Sequence, residues 1–227
     1  MATITRAPLV VQLNRRGPND LDQRLAHHGW FNYWKADRQL AYRGLLAFNF
    51  LNLAAVNPAV LEIRQVAREV SWWDGRVWDV YRPRYELLLA SASAKLVHRV
   101  DVEVISSVEL KANRRKFDRI SCECREAGRR FLVFTEATVL AEPRLTNARR
   151  ILAQAGEGLV PEQDLDLVRQ VSEGTADFCI NELVDIGVLP YQRAYAAVLN
   201  LVARGELNFR LSRPFNGSTR LTGRARS

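Results

Sequence analysis

The stretch YRPRYELLLASASAKLVHRVDVEVI, residues 81–105, decides the fold of this chain. Residues 85–90 form an almost continuous apolar run, and residues 96–105 alternate in part between apolar and polar side chains. Such runs and alternations are typical of strands in a half-buried mixed sheet. Because the small polar tract Ser91-Ala92-Ser93 predicts a turn, the stretch is expected to form two neighbouring strands.

Upstream of this stretch, the sequence predicts an N-terminal arm and then a helix. Residues 1–37 lack sustained periodicity, so we interpret them as an arm that packs on the core or touches a partner. Residues 37–55 place apolar side chains near one helical face, and Asp37 is available as a cap. Asn57-Pro58 predicts the end of that helix.

Further elements surround the two strands. The Asp74-Gly75 turn signal lies between residues 63–70 and 77–81, which are rich in Val and Trp, and this pattern predicts a hairpin. Downstream, residues 111–127 predict a basic helix and residues 130–135 predict a short apolar strand. The expected fold class is therefore α/β (α+β), with a mixed sheet flanked by helices.

A Gly-rich break at residues 155–158 separates this region from a tail of different character, which places a boundary near residue 156. The tail predicts three helices and then two short strands that flank a turn, which is the order of elements in a winged helix. The helices are predicted over residues 163–170, 178–186 and 191–203, and the strands over 206–211 and 218–222.

The composition favours a polyanionic partner. The formal net charge is +8, and 29 of the 33 basic residues are arginines. Arginine suits phosphate and guanine edges because its planar guanidinium donates two parallel hydrogen bonds. Nucleic acid is therefore the first partner to consider, although a GC-rich genome also enriches arginine.

The sequence predicts a cytoplasmic protein that binds no membrane. Its three cysteines, Cys122, Cys124 and Cys179, are odd in number, which favours reduced thiols. Cys122 and Cys124 lack a matching second pair, so we predict no metal and no cofactor. No run approaches the about 18 apolar residues of a membrane span, and the N-terminus lacks a signal pattern.

Several segments occur in an order that resembles a known family. They are the helical residues 40–53, Arg64-Gln65-Val66, Tyr81-Arg82-Pro83-Arg84-Tyr85, Val102-Glu103-Val104-Ile105, and residues 116–136 with a basic helix, a glycine and an aromatic strand. Together they resemble the TnsA-like transposon endonucleases over about residues 38–222. The resemblance implies a restriction-endonuclease-like domain followed by a winged helix.

With the boundaries set by the arm and by the Gly-rich break, the resemblance implies that the arm (1–37) is followed by a nuclease-like domain (38–155) and a winged-helix domain (156–227). Enzymes of that family cut DNA with carboxylates and a lysine, because a divalent cation needs oxygen ligands to activate water. Here Tyr42, Arg84 and Ile105 align with three of those positions, and only Glu103 remains. The resemblance thus implies a domain that has lost its catalytic residues.

Two alternatives remain open at these positions. Metal ligands could have moved to neighbouring carboxylates, which would restore a metal-dependent endonuclease; the candidates are Asp79, Glu86, Asp101 and Glu109. Alternatively, Glu103 is a simple surface carboxylate, and Arg84 forms a structural ion pair with Glu86 or Glu103.

The tail is electrically polarised. Residues 162–187 carry a net charge of −6, whereas residues 188–227 carry +6. The second helix of a helix-turn-helix places its first side chains in the major groove, and here these are Tyr191, Gln192 and Arg193. Other residues are predicted to contact phosphate or the minor groove: Tyr195, Asn200, Arg210, Arg213, Arg220, Arg224 and Arg226.

A second basic element is predicted on the helix over residues 111–127. It comprises Arg114, Arg115 and Lys116, with Arg119, Arg125, Arg129 and Arg130 nearby, and a solvated face explains it as well as a phosphate contact does. The tryptophans Trp72, Trp73 and Trp78 could stack on bases, but tryptophans on strands more often fill a core.

These patterns predict a sequence-specific, regulatory protein that binds double-stranded DNA without cutting it. The first alternative is a TnsA-like subunit of a heteromeric transposase, structural or weakly endonucleolytic. A winged helix can also dock proteins, so a protein-only role and a dimer both remain open.

Overall fold

The computed structural model describes residues 27–36, 38–66, 68–90 and 97–223. Its strands are β1 (His28–Tyr33), β2 (Arg38–Arg43), β3 (Val60–Gln65), β4 (Val70–Trp73), β5 (Trp78–Tyr81), β6 (Tyr85–Ala90), β7 (Val97–Val104), β8 (Arg130–Phe134), β9 (Leu207–Asn208) and β10 (Thr222–Gly223). Its α-helices are α1 (Leu45–Val56), α2 (Ser107–Ala112), α3 (Arg114–Glu126), α4 (Glu136–Val139), α5 (Arg144–Leu152), α6 (Glu162–Gly174), α7 (Ile180–Asp185) and α8 (Tyr191–Arg204). A 3-10 helix, Trp34–Ala36, joins β1 to β2.

The central sheet has four strands in the order β3-β6-β7-β8. The β3–β6 and β6–β7 pairs are antiparallel, and the β7–β8 pair is parallel. Helices cover both faces, so the predicted mixed sheet with flanking helices is confirmed. The predicted strands over residues 85–90 and 96–105 correspond to β6 and β7, whereas the predicted turn between them lies outside the described residues.

The two faces of the sheet have different partners because side chains alternate along a strand. Val100, Val102 and Val104 of β7 pack in one core with Phe50 and Leu51 of α1. On the opposite face, Ile105 and Phe131 pack with Phe117 and Ile120 of α3. The alternation therefore places Asp101 and Glu103 on the face that α3 covers.

The predicted helix over residues 37–55 is wrong in its first third. Residues 38–43 form β2, which pairs with β1, and the helix begins at Leu45. Gly44 separates the two elements with a φ of 86°, a left-handed conformation that glycine adopts without the steric cost of a side chain. Residues 28–33 form a strand, and Phe31 and Tyr33 pack in the same core as α1, which is one of the two roles predicted for the arm. The predicted cap Asp37 and residues 1–26 lie outside the described residues.

Two other predicted elements are subdivided in the structure. The predicted first hairpin strand over 63–70 is split, because β3 joins the central sheet and β4 pairs with β5. The turn at Asp74 is as expected: its carboxylate accepts hydrogen bonds from the backbone N–H groups of Arg76 and Val77 at 2.6 and 2.8 Å. The predicted helix over 111–127 is two helices that meet at Asn113, which ends α2 and precedes α3.

The C-terminal region contains α6, α7 and α8 followed by the short β9–β10 pair. A bridge between Phe178 and Leu221 adds a further pairing that the sequence did not predict. The core of the C-terminal region includes Ala148 and Ile151 of α5 and Val56 of α1. The packing is therefore continuous across residue 156, and the division of the chain there stays a prediction.

None of the described helices is long and apolar enough to cross a lipid bilayer.

Candidate nucleic-acid interface

The structure brings together two of the four nuclease-like positions, Arg84 and Glu103. The Arg84 Nε lies 3.1 Å from Glu103 Oε1, and the hydroxyl of Tyr81 donates to Glu103 Oε2. The Arg84 guanidinium also donates to the carbonyl oxygen of Arg43 at 3.3 Å. Burial and the neighbouring Glu103 raise the pKa of Tyr81, which keeps its hydroxyl a donor. The predicted ion pair of Arg84 is therefore observed, with Glu103 as its partner. The prediction that Glu103 is a surface carboxylate is wrong, because the residue is only 5% exposed.

The side chains of Tyr42 and Ile105 do not join this pair. Tyr42 lies on β2 and not in a helix, and its ring packs against Phe48 with 5.0 Å between the ring centroids. Ile105 is buried in the core beneath α3, and its N–H donates to the carbonyl oxygen of Phe134 at 3.1 Å. Aligning Tyr42 with a first-helix position was therefore wrong, because the residue precedes Gly44 in a strand.

Two proposed replacement ligands, Glu86 and Asp101, are held by arginines. They face each other across β6 and β7, and the Arg129 guanidinium bridges them. Asp101 is fully buried, with Arg129 Nη2 at 2.6 Å from Oδ1 and Nε at 3.0 Å from Oδ2. The guanidinium of Arg68 also contacts Asp101. The hydrogen bonds to Asp101 raise the pKa of Arg129, so a fixed positive charge occupies the space between the carboxylates.

The other two proposed ligands lie apart from this network. Asp79 is exposed on β5, where its carboxylate accepts from the N–H of Val80 at 2.8 Å. Glu109 is exposed in the first turn of α2. Within the part of the chain that the structure describes, no group of three or more His, Cys, Asp and Glu side chains could hold a metal ion.

The clearest concentration of predicted DNA-binding residues is an open groove near the C-terminus, called the arginine groove here. Its volume is about 480 Å³, and it is lined by Arg210, Arg213, Pro214, Asn216, Ser218, Thr219 and Arg220. The three arginines are exposed, and none of the lining residues is acidic. Guanidinium groups, hydroxyls and an amide are the donors that commonly contact DNA phosphates.

Helix α5 fixes the loop that carries two of these arginines. The buried amide of Asn147 donates to the carbonyl oxygens of Leu211 and Arg213 at 2.9 and 2.7 Å and accepts from the N–H of Phe215 at 3.2 Å. Arg150 donates to the carbonyl oxygen of Phe215 at 2.9 Å. Sequence reasoning missed both residues because their partners lie more than 60 positions away, and no local pattern marks such a contact.

The third arginine of the groove, Arg220, forms ion pairs with two carboxylates of the acidic residues 162–187. The Arg220 guanidinium lies 2.7 Å from Glu182 and 3.7 Å from Asp177. These contacts raise the pKa of Arg220, mainly through the hydrogen bond with Glu182. Arg210 and Arg213 have no ion-pair partner among the described residues, which leaves their charges available to a ligand.

The predicted recognition residues lie at the N-terminus of α8, beside this loop. A Cβ atom on Gly217 would come 3.0 Å from the Tyr191 ring and 2.3 Å from the Asn181 amide, so the loop approaches both closely. Tyr191 and Gln192 are exposed. This close approach places Tyr191 next to the arginine groove.

Arg193 differs from its two neighbours because it is already paired. Its guanidinium makes two hydrogen bonds to Asp164 of α6, one of them Nε to Oδ2 at 2.9 Å. Asp164 is only 1% exposed, and the pair raises the pKa of Arg193. This residue joins α8 to α6, so reading a base would require breaking the pair.

Two further predicted contacts are interior residues. Asn200 is fully buried and donates to the carbonyl oxygens of Gln154 and Gly156 at 2.5 and 3.4 Å, so its prediction as a phosphate contact is wrong. Tyr195 is half-buried between Tyr191 and Phe215. Arg224 and Arg226 lie outside the described residues.

The residues of the second basic element, around Arg114, Arg115 and Lys116, have different surroundings in the structure. Arg114 and Arg115 are exposed at the start of α3, whereas the Lys116 ammonium lies over the rings of Tyr81 and Trp72 at 4.9 and 5.9 Å. Arg129 belongs to the carboxylate network inside the sheet. The tryptophans also divide, since Trp72 is buried in the core while Trp73 and Trp78 are 37% and 66% exposed.

Comparison with known proteins finds no family model and no curated protein that matches this chain.

Proposed function

We propose that this chain is a DNA-binding protein that holds the duplex backbone in the arginine groove and does not cut it. The observation that carries the proposal is the convergence of Arg210, Arg213 and Arg220 in one groove without an acidic lining residue. The fixed loop supports the same function, because Asn147 and Arg150 position the arginines before any ligand arrives. A preorganised site loses less conformational entropy on binding.

The neighbouring α8 suits a role in sequence recognition and hence in regulation, for example of transcription. Gln192 can pair with adenine through two hydrogen bonds, and Tyr191 supplies an adjacent hydroxyl. Both side chains are exposed beside the groove. In the proposed complex, α8 is the recognition helix of a winged helix and the loop over residues 210–220 is its wing. Arg193 does not read bases in this complex; its ion pair with Asp164 holds α8 against α6.

The proposed absence of cleavage rests on internal cations. Arg84 pairs with Glu103, and Arg129 bridges Glu86 and Asp101, so guanidinium groups neutralise the carboxylates that a metal site would need. A restriction-endonuclease-like domain used only as a scaffold would carry such substitutions. In this proposal, the scaffold derives from an endonuclease of the TnsA-like kind.

The experiment is a titration of fluorescent duplexes with the full chain at several salt concentrations. Replacing Arg210 and Arg213 together by Ala should lower the affinity for every duplex and reduce the slope of log K against log salt by about 2, because each phosphate contact releases about one counterion. Arg76→Ala is the matched control, since Arg76 is exposed on the β4–β5 turn and lines no part of the groove. An unchanged salt slope in the double variant would contradict the proposal.

Sequence preference is measured in the same titration with genomic fragments. Gln192→Ala should reduce discrimination between the best site and a mismatched site by about 1–3 kcal/mol, while affinity for random duplex stays near that of the wild type. Equal loss on all sequences would assign Gln192 to backbone contact.

A second candidate function is a TnsA-like subunit of a heteromeric transposase. The observation that favours it is the layered arrangement, with α1 and α3 on opposite faces of a mixed sheet and Glu103 buried on the α3 face. Co-purification with a transposase encoded beside this chain would support this function. Magnesium-dependent nicking of supercoiled plasmid that Glu103→Ala abolishes would show that the scaffold still cuts.

A further inference from the structure

Helix α3 carries unpaired charges of opposite sign at its two ends. Arg115 and Arg119 lie in its first half, and Glu123 and Glu126 lie in its second half. Arg115, Arg119, Cys122 and Glu126 follow one another at intervals of four, three and four residues, so they share one helical face. The helix therefore presents a stripe that changes from positive to negative along its length.

The stripe has no electrostatic partner within the described part of the chain. No described residue forms an ion pair with Arg115, Arg119, Glu123 or Glu126. All four line an open groove of about 780 Å³ that is also lined by Trp72 and Trp73 of β4. The surface is thus a mixed-charge groove with an aromatic wall.

We propose that this groove binds α3 of a second copy of the chain in an antiparallel orientation. Reversing the helix places Arg115 opposite the partner's Glu126 and Arg119 opposite the partner's Glu123. Both pairs are centred at Ile120–Ser121, so one twofold axis can form all of them at once. An interface of this kind is isologous, which is the commonest symmetry of soluble oligomers.

Charge distinguishes this occupant from nucleic acid. Besides Glu123 and Glu126, the groove is lined by the carboxylates of Asp118 and Asp74, which outnumber the cations Arg115, Lys116 and Arg119. A phosphate backbone would be repelled along the second half of α3. A reversed copy of the same helix instead sets the first half, which is net positive although it includes Asp118, against the net negative second half.

Exposed aromatic side chains flank the groove and supply apolar area. Trp73 lines it, and its ring packs against that of Trp78 with 5.8 Å between centroids. These side chains are 37% and 66% exposed. Tryptophan and arginine are enriched among the residues that dominate binding at protein interfaces, so the combination suits a dimer contact. The dimer does not depend on the proposed DNA binding.

The test is a charge-swap complementation measured by analytical ultracentrifugation in low salt. In one variant, Arg115→Glu and Arg119→Glu make the stripe entirely acidic; in the other, Glu123→Arg and Glu126→Arg make it entirely basic. The wild type should dimerise. Each variant alone should dimerise at least about tenfold more weakly than the wild type, because all four symmetric pairs become repulsive. An equimolar mixture of the two variants should restore the dimer as a heterodimer.

Cys122 supplies an independent readout because it lies near the proposed axis. Cys122 is partly exposed, whereas Cys124 and Cys179 are buried. A short bismaleimide should cross-link two wild-type chains, and Cys122→Ser should abolish the product.

Three results would overturn the proposal. They are a monomeric wild type, a dimer that survives in both charge variants, or a mixture that stays monomeric although circular dichroism shows both variants folded. Loss of duplex binding in the acidic variant without any dimer in the wild type would assign the groove to DNA instead.

Discussion

At the scale of single residues, the main feature is the use of guanidinium groups as internal cations. Arg129 reaches both Glu86 and Asp101, and Arg68 contacts Asp101 from another side. A buried carboxylate is costly unless it is paired and hydrogen-bonded, because the interior solvates charge poorly. The sheet face beneath α3 therefore depends on these arginines.

Removing one of these cations should destabilise the protein strongly. Arg129→Ala leaves Glu86 and Asp101 facing each other, with Arg68 beside Asp101 and only the exposed Arg99 near Glu86, at 3.9 Å. The free energy of unfolding should therefore fall by about 3 kcal/mol. Urea denaturation followed by tryptophan fluorescence measures the change.

Arg99→Ala is the matched control for this prediction. Arg99 lies 3.9 Å from Glu86, and 57% of its side chain is exposed. Because exposed pairs contribute little, the control should lose about 0.5 kcal/mol or less. Equal losses in the two variants would show that Arg129 is no more important than a surface residue.

Sequence reasoning identified the residue types at these sites better than their partners. The sequence offers Glu86 or Glu103 as the ion-pair partner of Arg84, and the structure selects Glu103. The sequence predicts that Arg193 reads DNA, and it places Arg129 in a basic element that fits a solvated face or a phosphate contact. Both arginines pair instead with carboxylates distant in sequence, Asp164 and Asp101. The composition reveals a surplus of arginines, but only the fold decides which of them face inward.

At the scale of elements, α5 has a role disproportionate to its nine residues. Its buried face packs in the C-terminal core, Asn147 and Arg150 hold the loop of the arginine groove, and Arg149 donates to Asn49 of α1 at 2.9 Å. One helix therefore joins the sheet layer to the proposed DNA-binding loop.

Asn147→Ala should loosen that loop and weaken DNA binding together. The change leaves two carbonyl oxygens and one N–H without their partner, which should cost about 3 kcal/mol of stability. Hydrogen exchange should accelerate at the amide of Phe215, and affinity for duplex should fall although no arginine is lost. Arg149→Ala is the control, since the hydrogen bond of the Arg149 guanidinium goes to Asn49 of α1 and not to the loop. Unchanged exchange at Phe215 would contradict the anchoring role.

The elements that sequence reasoning predicted well are those with strong local signals. Strands β6 and β8 and helix α8 lie close to their expected bounds because apolar runs and Pro190 mark them. The failures have physical causes. Leu40 fits a helical face as well as an alternating strand, and only pairing with β1 selects the strand. Helix α5 has a mixed, arginine-rich sequence whose helical structure depends on tertiary packing.

At the scale of the whole molecule, the two regions share packing rather than a flexible connection. Val56 at the end of α1 and Ile151 of α5 lie in the same core as Leu183 and Leu201. Leu152 packs against both this core and the core between α1 and the sheet. Regions joined in this way are expected to unfold together.

Alkaline unfolding tests this coupling. Burial raises the pKa of Tyr33 and Tyr85 from 10.0 to about 12. The unfolded chain loses these protons at lower pH than the folded chain, so each tyrosine's contribution is fully present below pH 10.0 and is lost as pH rises towards 12. The slope is about 1.4 kcal/mol per pH unit for each tyrosine.

Both tyrosines lie N-terminal to residue 156, yet the C-terminal helices should unfold in the same step. Tryptophan fluorescence reports the first part of the chain, because all five tryptophans lie between residues 30 and 78, while circular dichroism reports every helix. The two transitions should coincide, and Tyr85→Phe should make the pH dependence shallower. A helical signal that persists after the fluorescence change would establish two independent units.

The bridge made by Arg129 has one more consequence, which concerns the solution around the protein. A metal ion exchanges with the medium, so the occupancy of a metal site follows the free ion concentration and is removed by a chelator. A guanidinium attached to the backbone is present at one equivalent in every molecule. The charge balance at Glu86 and Asp101 is therefore set during translation and stays constant in EDTA, in scarce magnesium and in excess magnesium alike.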